Sequence, residues 1–497
     1  MGIIQRQGII NSIISYMGIL LGALNVVVFQ PMFLTKEEIG LTRVLFSFSA
    51  LVATFVPLGV SSILLKYFPS FRNKEKKHHG IFGLAVGLTL LGFVIVSIGL
   101  VVFKPFITAQ YNKQSPLLNE YFNYVFPLIL FIAFSNVFFT YCTSLFKTNV
   151  PAFLNDVLVR IFSIVLFAIY FLKWITLPQL VLLYVVKFGV IALLHLAYIF
   201  KIDSPTLRLN WDYFKQQNPR QILMYGLLLS FTSLSSLGLK YIDIVMLGKY
   251  LTLDLVGVYA IAVFIPTVIE APLGALDKIG VASISEAWKR KDLEEVKKIY
   301  FRSSRYLLLA GGFLFLCVNL NTHSLFQLFP DKGYSLGETV VLIISIGTVI
   351  NMATGINDAI IYTSDKYIYG AYMLMLLFVI AIVNNYIFIP IWGMNGAAFA
   401  TAFSATIFNS MKYIFLWKKY HLQPFDSKTF LVVLSIVVCF TIGYFIPDVG
   451  HPIVQIVYRT AIVSILFLGL VKAFNIVPEL EAQLWEFIGK KGFKTKN

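Results

Sequence analysis

The feature that most constrains this chain is a series of about fourteen apolar segments, each long enough to cross a lipid bilayer as a helix. Because 58% of the residues are hydrophobic and only 13% are charged, the chain cannot cover itself with an ordinary water-facing surface. The sequence therefore predicts an all-α integral membrane protein with short connections. The predicted segments cover 8–33, 41–67, 80–103, 121–146, 151–172, 178–200, 221–248, 255–283, 306–328, 337–361, 368–390, 394–416, 429–447 and 453–472.

The distribution of Lys and Arg predicts which side of the membrane each connection faces. Every second connection is basic, and these basic segments are 72–77, 201–220, 289–305, 412–428 and the tail from 472. Since Lys and Arg are retained on the cytoplasmic side, we expect both termini to be cytoplasmic. The net charge of +16 is dispersed over these loops, which favours anionic membrane lipid over nucleic acid as a partner.

An internal repeat predicts how the helices are grouped. Residues 34–40 (LTKEEIG) match 251–257 (LTLDLVG), and the PLG of 57–59 returns at 272–274. Both copies run in the same direction, which predicts two six-helix lobes related by a pseudo-two-fold axis along the membrane normal. The predicted parts are an N-terminal lobe (1–200), a cytoplasmic linker (201–219), a C-terminal lobe (220–420), two further transmembrane helices (421–475) and a cytoplasmic tail with an interfacial helix (476–497).

Lys187 is the strongest single candidate for a functional site. A charge inside an apolar segment is costly, so each such residue is a functional candidate, and Lys187 has no acidic partner in its own segment. It could line an aqueous cavity and bind an anion, or it could pair with Glu270 or Asp156 on other helices. We include Lys66, Arg160, Lys187, Lys240 and Lys278 as candidate substrate-binding residues.

Structural explanations exist for several of these cations. Lys240 lies three residues before Asp243, and Arg160 lies four residues after Asp156, so each can form an ion pair within its helix. Lys66 is near the inner end of its segment and can extend its amine to the lipid headgroups. The sequence does not decide between these alternatives.

Four acidic residues in or near apolar segments are candidates for coupling transport to an ion gradient. These are Asp243, Glu270, Asp277 and Asp358, and either Na⁺ or H⁺ is a possible ligand for such a carboxylate. No spacing typical of a metal site is present, so the sequence predicts no bound metal and no cofactor apart from such a coupling ion.

Several short motifs resemble one known family over nearly the whole chain. They are PLG at 57–59 with YFP at 67–69, YID at 241–243 with GVY at 257–259, IYTSDKY at 361–367, and IP at 389–390 followed by Gly393 and by GAA at 396–398. Together they resemble the oligosaccharide flippase, or polysaccharide biosynthesis, branch of the multidrug/oligosaccharidyl-lipid/polysaccharide (MOP) exporter superfamily.

This resemblance implies a transporter of a bacterial plasma (inner) membrane. It implies that undecaprenyl-pyrophosphate-linked oligosaccharide is flipped from the inner to the outer leaflet by alternating access, for cell-surface polysaccharide biosynthesis. Glycosyltransferases and a polysaccharide polymerase are the implied protein partners.

Two other function classes are weighed against this one. A cation-coupled multidrug or metabolite antiporter of the same superfamily is the main alternative, because it would use the same lobes and the same buried acids. An enzyme is disfavoured: the longest predicted exterior loop, about 104–120, contains Glu120 as its one acid, and no nucleotide-binding loop is present.

Overall fold

The computed structural model describes residues 3–476, apart from the side chains of residues 3–6, 8, 9, 278 and 332. Within these residues every regular element is a helix, which confirms the predicted all-α fold. The predicted interfacial helix of the C-terminal tail lies outside the described residues.

The chain forms two compact units, and the first contains Met1–Phe264 together with Leu374–Thr401. π-helices at Leu24–Phe29 and Leu154–Leu158 and 3₁₀ turns at Lys77–Gly80 and Phe122–Tyr124 interrupt its helices. The helices up to Phe264 are α1 (Ile3–Ala23), α2 (Gln30–Phe33), α3 (Lys36–Ala53), α4 (Val60–Phe71), α5 (Ile81–Tyr111), α6 (Pro116–Tyr121), α7 (Val125–Ser144), α8 (Asn149–Phe153), α9 (Val159–Phe171), α10 (Leu177–Ile202), α11 (Trp211–Gln216), α12 (Pro219–Tyr250) and α13 (Leu253–Ala262).

The second unit contains Ile265–Met373 and Ala402–Asn497. The chain returns to the first unit for the middle of its longest helix, α19, and 3₁₀ turns occur at Ile265–Val268 and Lys332–Gly337. The remaining helices are α14 (Ala271–Lys289), α15 (Leu293–Asn319), α16 (Thr322–Gln327), α17 (Glu338–Ala353), α18 (Asn357–Thr363), α19 (Tyr367–Tyr420), α20 (Ser427–Tyr444) and α21 (Pro452–Ala473). The predicted lobe boundaries remain a prediction.

Each unit has a core of large buried side chains. In the first unit Phe68 packs edge to face on Tyr141, with ring centroids 5.6 Å apart, and both side chains are inaccessible to solvent. In the second unit Tyr300 and Phe467 belong to one buried cluster. Aromatic side chains bury large areas and prefer such tilted contacts, so they fix the helix packing around the polar residues described below.

By length and composition, 11 helices in the described part of the chain can cross a membrane, or 12 if the bent pair Leu253–Val268 and Ala271–Lys289 is one span. This number is lower than the predicted fourteen for two physical reasons. The segment predicted at 41–67 is divided into α3 and α4, and the segments predicted at 368–390 and 394–416 are joined in α19. In both cases the prediction and the structure differ in where one membrane segment is divided from the next.

Helix α19 contains a reversal of the chain at Gly393. A straight helix of its 54 residues would be about 81 Å long, far more than the hydrocarbon core of about 30 Å. Gly393 has φ 57° and ψ −131°, a conformation that glycine adopts readily. A Cβ atom on Gly396 would lie 2.0 Å from the carbonyl oxygen of Phe388, so the two segments meet in a helical hairpin, as the two predicted spans require.

The break between α3 and α4 has a counterpart in the second copy of the repeat. Leu58 and Gly59 have φ values of 49° and 82°, so the chain turns sharply at the PLG of 57–59. In the second copy a 3₁₀ turn at Ile265–Val268 separates α13 from α14, and Pro272 lies in the first turn of α14. Both copies therefore interrupt the corresponding helix near their PLG motifs, as proline permits at the start of a helix.

The two repeat copies also contact each other symmetrically through α3 and α13. A Cβ on Gly40 would lie 2.0 Å from the carbonyl oxygen of Leu253, and a Cβ on Gly257 would lie 2.1 Å from that of Lys36. Gly40 and Gly257 are equivalent in the repeat, and so are Lys36 and Leu253. Small residues let helix backbones approach closely in membranes, and this reciprocal contact is what a local two-fold axis produces.

Candidate functional site

Lys187 lies on α10 inside the first unit and is 7% exposed. Its Nζ donates a hydrogen bond of 2.7 Å to the hydroxyl oxygen of Ser163 on α9 and lies 3.7 Å from the centroid of the Tyr184 ring. Within the described part of the first unit no carboxylate lies within 4.0 Å of this amine, so it does not make the ion pair with Asp156 that was considered from the sequence. A lysine held by a hydroxyl and a ring can still bind an anion.

Arg43 is a second cation in the same region, and the sequence reasoning missed it. It lies on α3, where its Nη2 donates a hydrogen bond of 3.2 Å to Oε1 of Gln30. Its charge acts on Lys187 and on the hydroxyl groups of Tyr184 and Tyr241. The available signal was an arginine at the third position of the membrane segment predicted at 41–67, which ought to have been treated like the other intramembrane charges.

Arg160 lies one helical turn before Ser163 on α9. Its Nη1 donates a hydrogen bond to the backbone carbonyl of Asp156; the two side chains influence each other electrostatically, but their charged atoms are not within 4.0 Å. A Cβ on Gly18 would lie 2.5 Å from Nη1, and one on Gly22 would lie 3.0 Å from Nε. Two glycines of α1 thus make room for the guanidinium group. We call Arg43 and Lys187, whose charges interact, the basic cluster.

Both π-helices of the first unit occur in the helices that hold this cluster or precede it. Leu24–Phe29 lies between α1 and α2, and Leu154–Leu158 leads into α9. Single π-turns widen a helix and occur frequently at functional sites. The first contains Asn25, which is buried and whose Oδ1 accepts no hydrogen bond from the described residues, so it is a free polar group.

The other cations predicted to bind substrate have different surroundings. Lys66 on α4 is exposed and its Nζ lies 3.9 Å from the centroid of the Tyr225 ring. Lys240 on α12 is exposed and makes no ion pair with Asp243 within 4.0 Å. The side chain of Lys278 lies outside the described residues. The interactions of the described residues therefore join Lys187 to Arg43 and do not join Arg160, Lys66 or Lys240 to either of them.

Asp243 is buried in the first unit and hydrogen-bonded on both oxygens. Oδ2 accepts a hydrogen bond of 2.6 Å from the hydroxyl of Tyr259, and Oδ1 accepts one of 2.8 Å from the backbone N–H of Ile244. Asp243 is 5% exposed. A carboxylate placed in this way can bind a proton or a cation in place of these hydrogen-bond donors. Asp243 therefore stays a candidate for ion coupling.

Two predicted acids of the second unit lie together around a buried lysine. Lys412 on α19 is 2% exposed, and its Nζ lies 2.9 Å from Oδ2 of Asp358 on α18. Asp277 on α14 interacts electrostatically with both, and its Oδ1 is buried without a hydrogen-bond donor among the described residues. Glu270 is exposed at the start of α14. Lys412 is the first residue of the basic segment 412–428, and it lies within α19, which continues to Tyr420.

Asp358→Ala should destabilise the second unit, because it leaves the buried amine of Lys412 without its carboxylate. We expect the free energy of unfolding to fall by about 1–3 kcal/mol, less than for a fully buried pair because Asp358 is half-exposed. The thermal midpoint of the purified protein in detergent measures this change. The double variant Asp358→Ala/Lys412→Met should recover the wild-type midpoint, and a single variant as stable as the wild type would contradict this account.

The IYTSDKY motif at 361–367 joins α18 to the far end of α19. The hydroxyl of Tyr420 donates a hydrogen bond of 2.7 Å to Oδ1 of Asp365, and this bond lowers the pKa of the Asp365 carboxyl below its ordinary value. Lys366 lies 3.5 Å from the other oxygen of the same carboxyl. The motif therefore fixes a turn within the second unit.

Comparison with known proteins decides the family. The family model described as "Polysaccharide biosynthesis protein" matches residues 4–274, which is more than half of the 497-residue chain. The chain belongs to the polysaccharide biosynthesis protein family. This confirms the resemblance that the sequence motifs indicated. A curated relative of this family member is an uncharacterized membrane protein, MJ1068, of Methanocaldococcus jannaschii, 22% identical over 462 residues that cover 88% of each chain.

Solved structures show the same fold. The lipid II flippase MurJ in an inward closed conformation has a TM-score of 0.75 and 14% identity, over 94% of this chain and 98% of its own. An inward-facing multidrug resistance MATE family transporter of the MOP superfamily has a TM-score of 0.64 and 16% identity, over 83% and 98%. This polysaccharide biosynthesis family member is thus a multi-pass membrane protein with the fold of these transporters.

Proposed function

We propose that the protein is a flippase that moves undecaprenyl-pyrophosphate-linked oligosaccharide from the inner to the outer leaflet by alternating access, for cell-surface polysaccharide biosynthesis. In this proposal it resides in a bacterial plasma membrane with both termini in the cytoplasm. Glycosyltransferases supply its substrate and a polysaccharide polymerase consumes the product. The protein moves its substrate across the membrane, and it neither forms nor breaks a covalent bond.

The observation that carries the proposal is the basic cluster in the membrane-spanning part of a polysaccharide biosynthesis family member. Lys187 is buried with a hydroxyl and an aromatic ring as its partners, and Arg43 is held by Gln30. Keeping these charges inside the membrane costs free energy, and this cost indicates that the charges have a function. An anionic lipid headgroup is the ligand that would offset this cost.

The chemistry of a pyrophosphate fits the two kinds of cation. Arginine presents a planar set of donors that matches two phosphate oxygens, whereas lysine acts as a point charge. Binding would exchange the hydrogen bond from Lys187 to Ser163 for one to a phosphate oxygen. The polar groups of the cluster region, including the free amide oxygen of Asn25, would then bind sugar hydroxyls, while the polyprenyl tail stays in lipid.

Ion coupling would use the buried acids. Asp243 would exchange its tyrosine hydrogen bond for H⁺ or Na⁺, and Asp277 and Asp358 could do the same beside Lys412. Glu270 is the fourth carboxylate that the sequence offers for ion coupling. Charge neutralisation at these carboxylates would change the free energy difference between the inward-open and outward-open states.

A cation-coupled multidrug or metabolite antiporter is the second candidate, and the buried Asp243 is the observation that favours it. A carboxylate in a membrane helix can bind a cationic drug as well as a coupling ion. The sign of the charges near the substrate separates the two candidates: the basic cluster favours an anion, and a site dominated by Asp243 would favour a cation.

Deletion of the gene in its native host tests the proposal. We expect lipid-linked oligosaccharide to accumulate and surface glycan to disappear, and the wild-type gene to restore both. Lys187→Ala should fail to restore them, whereas the control Lys113→Ala, at an exposed lysine, should succeed. Unchanged glycan pools together with altered sensitivity to cationic compounds would overturn the flippase in favour of the antiporter.

A further inference from the structure

A long apolar groove crosses the surface of the first unit between α5, α7 and α10. It has a volume of about 850 Å³, and α7 contributes Phe131, Phe134 and Phe138 to its wall. Along α10 the lining extends from Val186 to Phe200, a rise of about 21 Å. One leaflet of the hydrocarbon core is about 15 Å deep, so the groove is long enough for the acyl chain of one lipid.

The polar residues of the groove are concentrated at one end. Lys77, Thr206 and Arg208 are its polar lining residues, and none of the described residues that line it is an acid. Lys77 precedes α5 and Arg208 follows α10, and the backbone N–H of Asn210 donates a 3.0 Å hydrogen bond to the carbonyl of His79, which brings the two segments together. Neither Lys77 nor Arg208 makes an ion pair within the described part of the chain.

The segment that carries Arg208 is fixed in position. A Cβ on Gly80 would lie 2.1 Å from the carbonyl oxygen of Arg208, and a Cβ on Gly83 would lie equally close to that of Leu207. Asp203 is buried, accepts a 2.6 Å hydrogen bond from the hydroxyl of Tyr141 and lies 3.4 Å from the ring of His78. The basic end of the groove is therefore built into the fold.

The segment that carries Lys77 is held in an unfavourable backbone conformation. Lys77, His78 and His79 have φ values of 49°, 53° and 52°, which cost side-chain-bearing residues free energy. The ring of His79 stacks on that of Tyr213 with centroids 3.6 Å apart, which helps to hold the turn. Strain of this kind persists only where surrounding contacts impose it, and it is frequent at binding sites.

We propose that this groove binds one anionic phospholipid, with its phosphate between Lys77 and Arg208 and one acyl chain along α10. The charge pattern predicts that this end faces the cytoplasm, where anionic lipids lie and where basic pockets between membrane helices bind their headgroups. The ligand is a resident lipid of the membrane and is not the transported substrate. The proposal is therefore independent of the flippase assignment.

The test is lipid retention by the full-length protein, purified after reconstitution in vesicles of phosphatidylglycerol and phosphatidylcholine and measured by native mass spectrometry. Wild type should retain one phosphatidylglycerol more tightly than any phosphatidylcholine. Lys77→Ala/Arg208→Ala should bind it on the order of thirtyfold more weakly, since each basic group near an anionic lipid contributes a factor of about five. Val190→Trp should lose it as well, because the indole fills the groove while both charges remain.

The matched control is Lys74→Ala/Lys201→Ala, which removes two exposed cations that do not line the groove. It should retain phosphatidylglycerol like the wild type. Equal retention of both lipids by the wild type, or unchanged retention by both test variants, would overturn the proposal. So would displacement of phosphatidylglycerol by polyprenyl phosphate at equal concentration, because the groove would then hold the substrate tail.

Discussion

Lys187→Met should slow transport strongly without lowering stability. The change removes the charge but keeps an apolar side chain of similar length, so a phosphate would lose one charge-assisted hydrogen bond, worth about 1.5–3 kcal/mol. Transport rates at low substrate concentration should fall on the order of 10- to 100-fold. Since Lys187 is buried and no described residue supplies a counter-charge within 4.0 Å, its removal also ends a desolvation cost, and the thermal midpoint should stay the same or rise.

This combination separates a binding role from a structural one. If Lys187 served only to hold α9 and α10 together through Ser163, Lys187→Met would lower the midpoint and Ser163→Ala would impair transport equally. Lys187→Arg keeps the charge and should retain part of the activity, and Lys113→Met is the control at an exposed lysine. Normal transport by Lys187→Met would remove this residue from the substrate path.

Gly40→Ala and Gly257→Ala should each disrupt the contact between α3 and α13. A Cβ at either position would lie 2.0 or 2.1 Å from a backbone carbonyl oxygen, so the helices would have to separate. Overpacking of this kind costs about 1–3 kcal/mol, and we expect a clearly lower thermal midpoint together with impaired transport. Because the contact is symmetric, the two single variants should have similar effects.

The double variant and a control make the prediction specific. Once one alanine has separated α3 and α13, the second should cost less, so the double variant should be less destabilised than the sum of the two. Gly99→Ala on α5 meets open space and should be neutral or slightly stabilising. Strictly additive effects, or a wild-type midpoint for either single variant, would contradict the reciprocal contact.

Much of the fold could be predicted from the sequence, because membrane insertion is governed by the length and polarity of each segment. The matching LTKEEIG and LTLDLVG segments identified equivalent helices, and Gly40 and Gly257 within them make the reciprocal contact. The sequence did not show how segments are divided. The reversal at Gly393 and the break at Leu58 and Gly59 depend on positive φ angles, which apolar periodicity does not report.

The site was less predictable, because partners on other helices decide what a buried charge does. Lys187 was chosen as a candidate because of its isolation in sequence, and no carboxylate of the described residues lies within 4.0 Å of its amine. Arg43 was missed although it lies in a predicted membrane segment, and its partner Gln30 on another helix is visible only in the structure. The spacing of Lys240 and Asp243 suggested a pair, but Asp243 instead accepts a hydrogen bond from Tyr259 on α13, a contact that requires knowledge of the helix packing.

The most direct test of the central claim is flipping of the substrate by the purified protein alone. The protein would be reconstituted in vesicles containing a fluorescent undecaprenyl-pyrophosphate-linked oligosaccharide, and exposure of the glycan on the opposite leaflet would be followed with a membrane-impermeant glycosidase. We predict movement with wild type and with Lys113→Met, and a strongly reduced rate with Lys187→Met. Equal rates in protein-free vesicles and with the wild type, under imposed H⁺ and Na⁺ gradients, would contradict the proposed flippase.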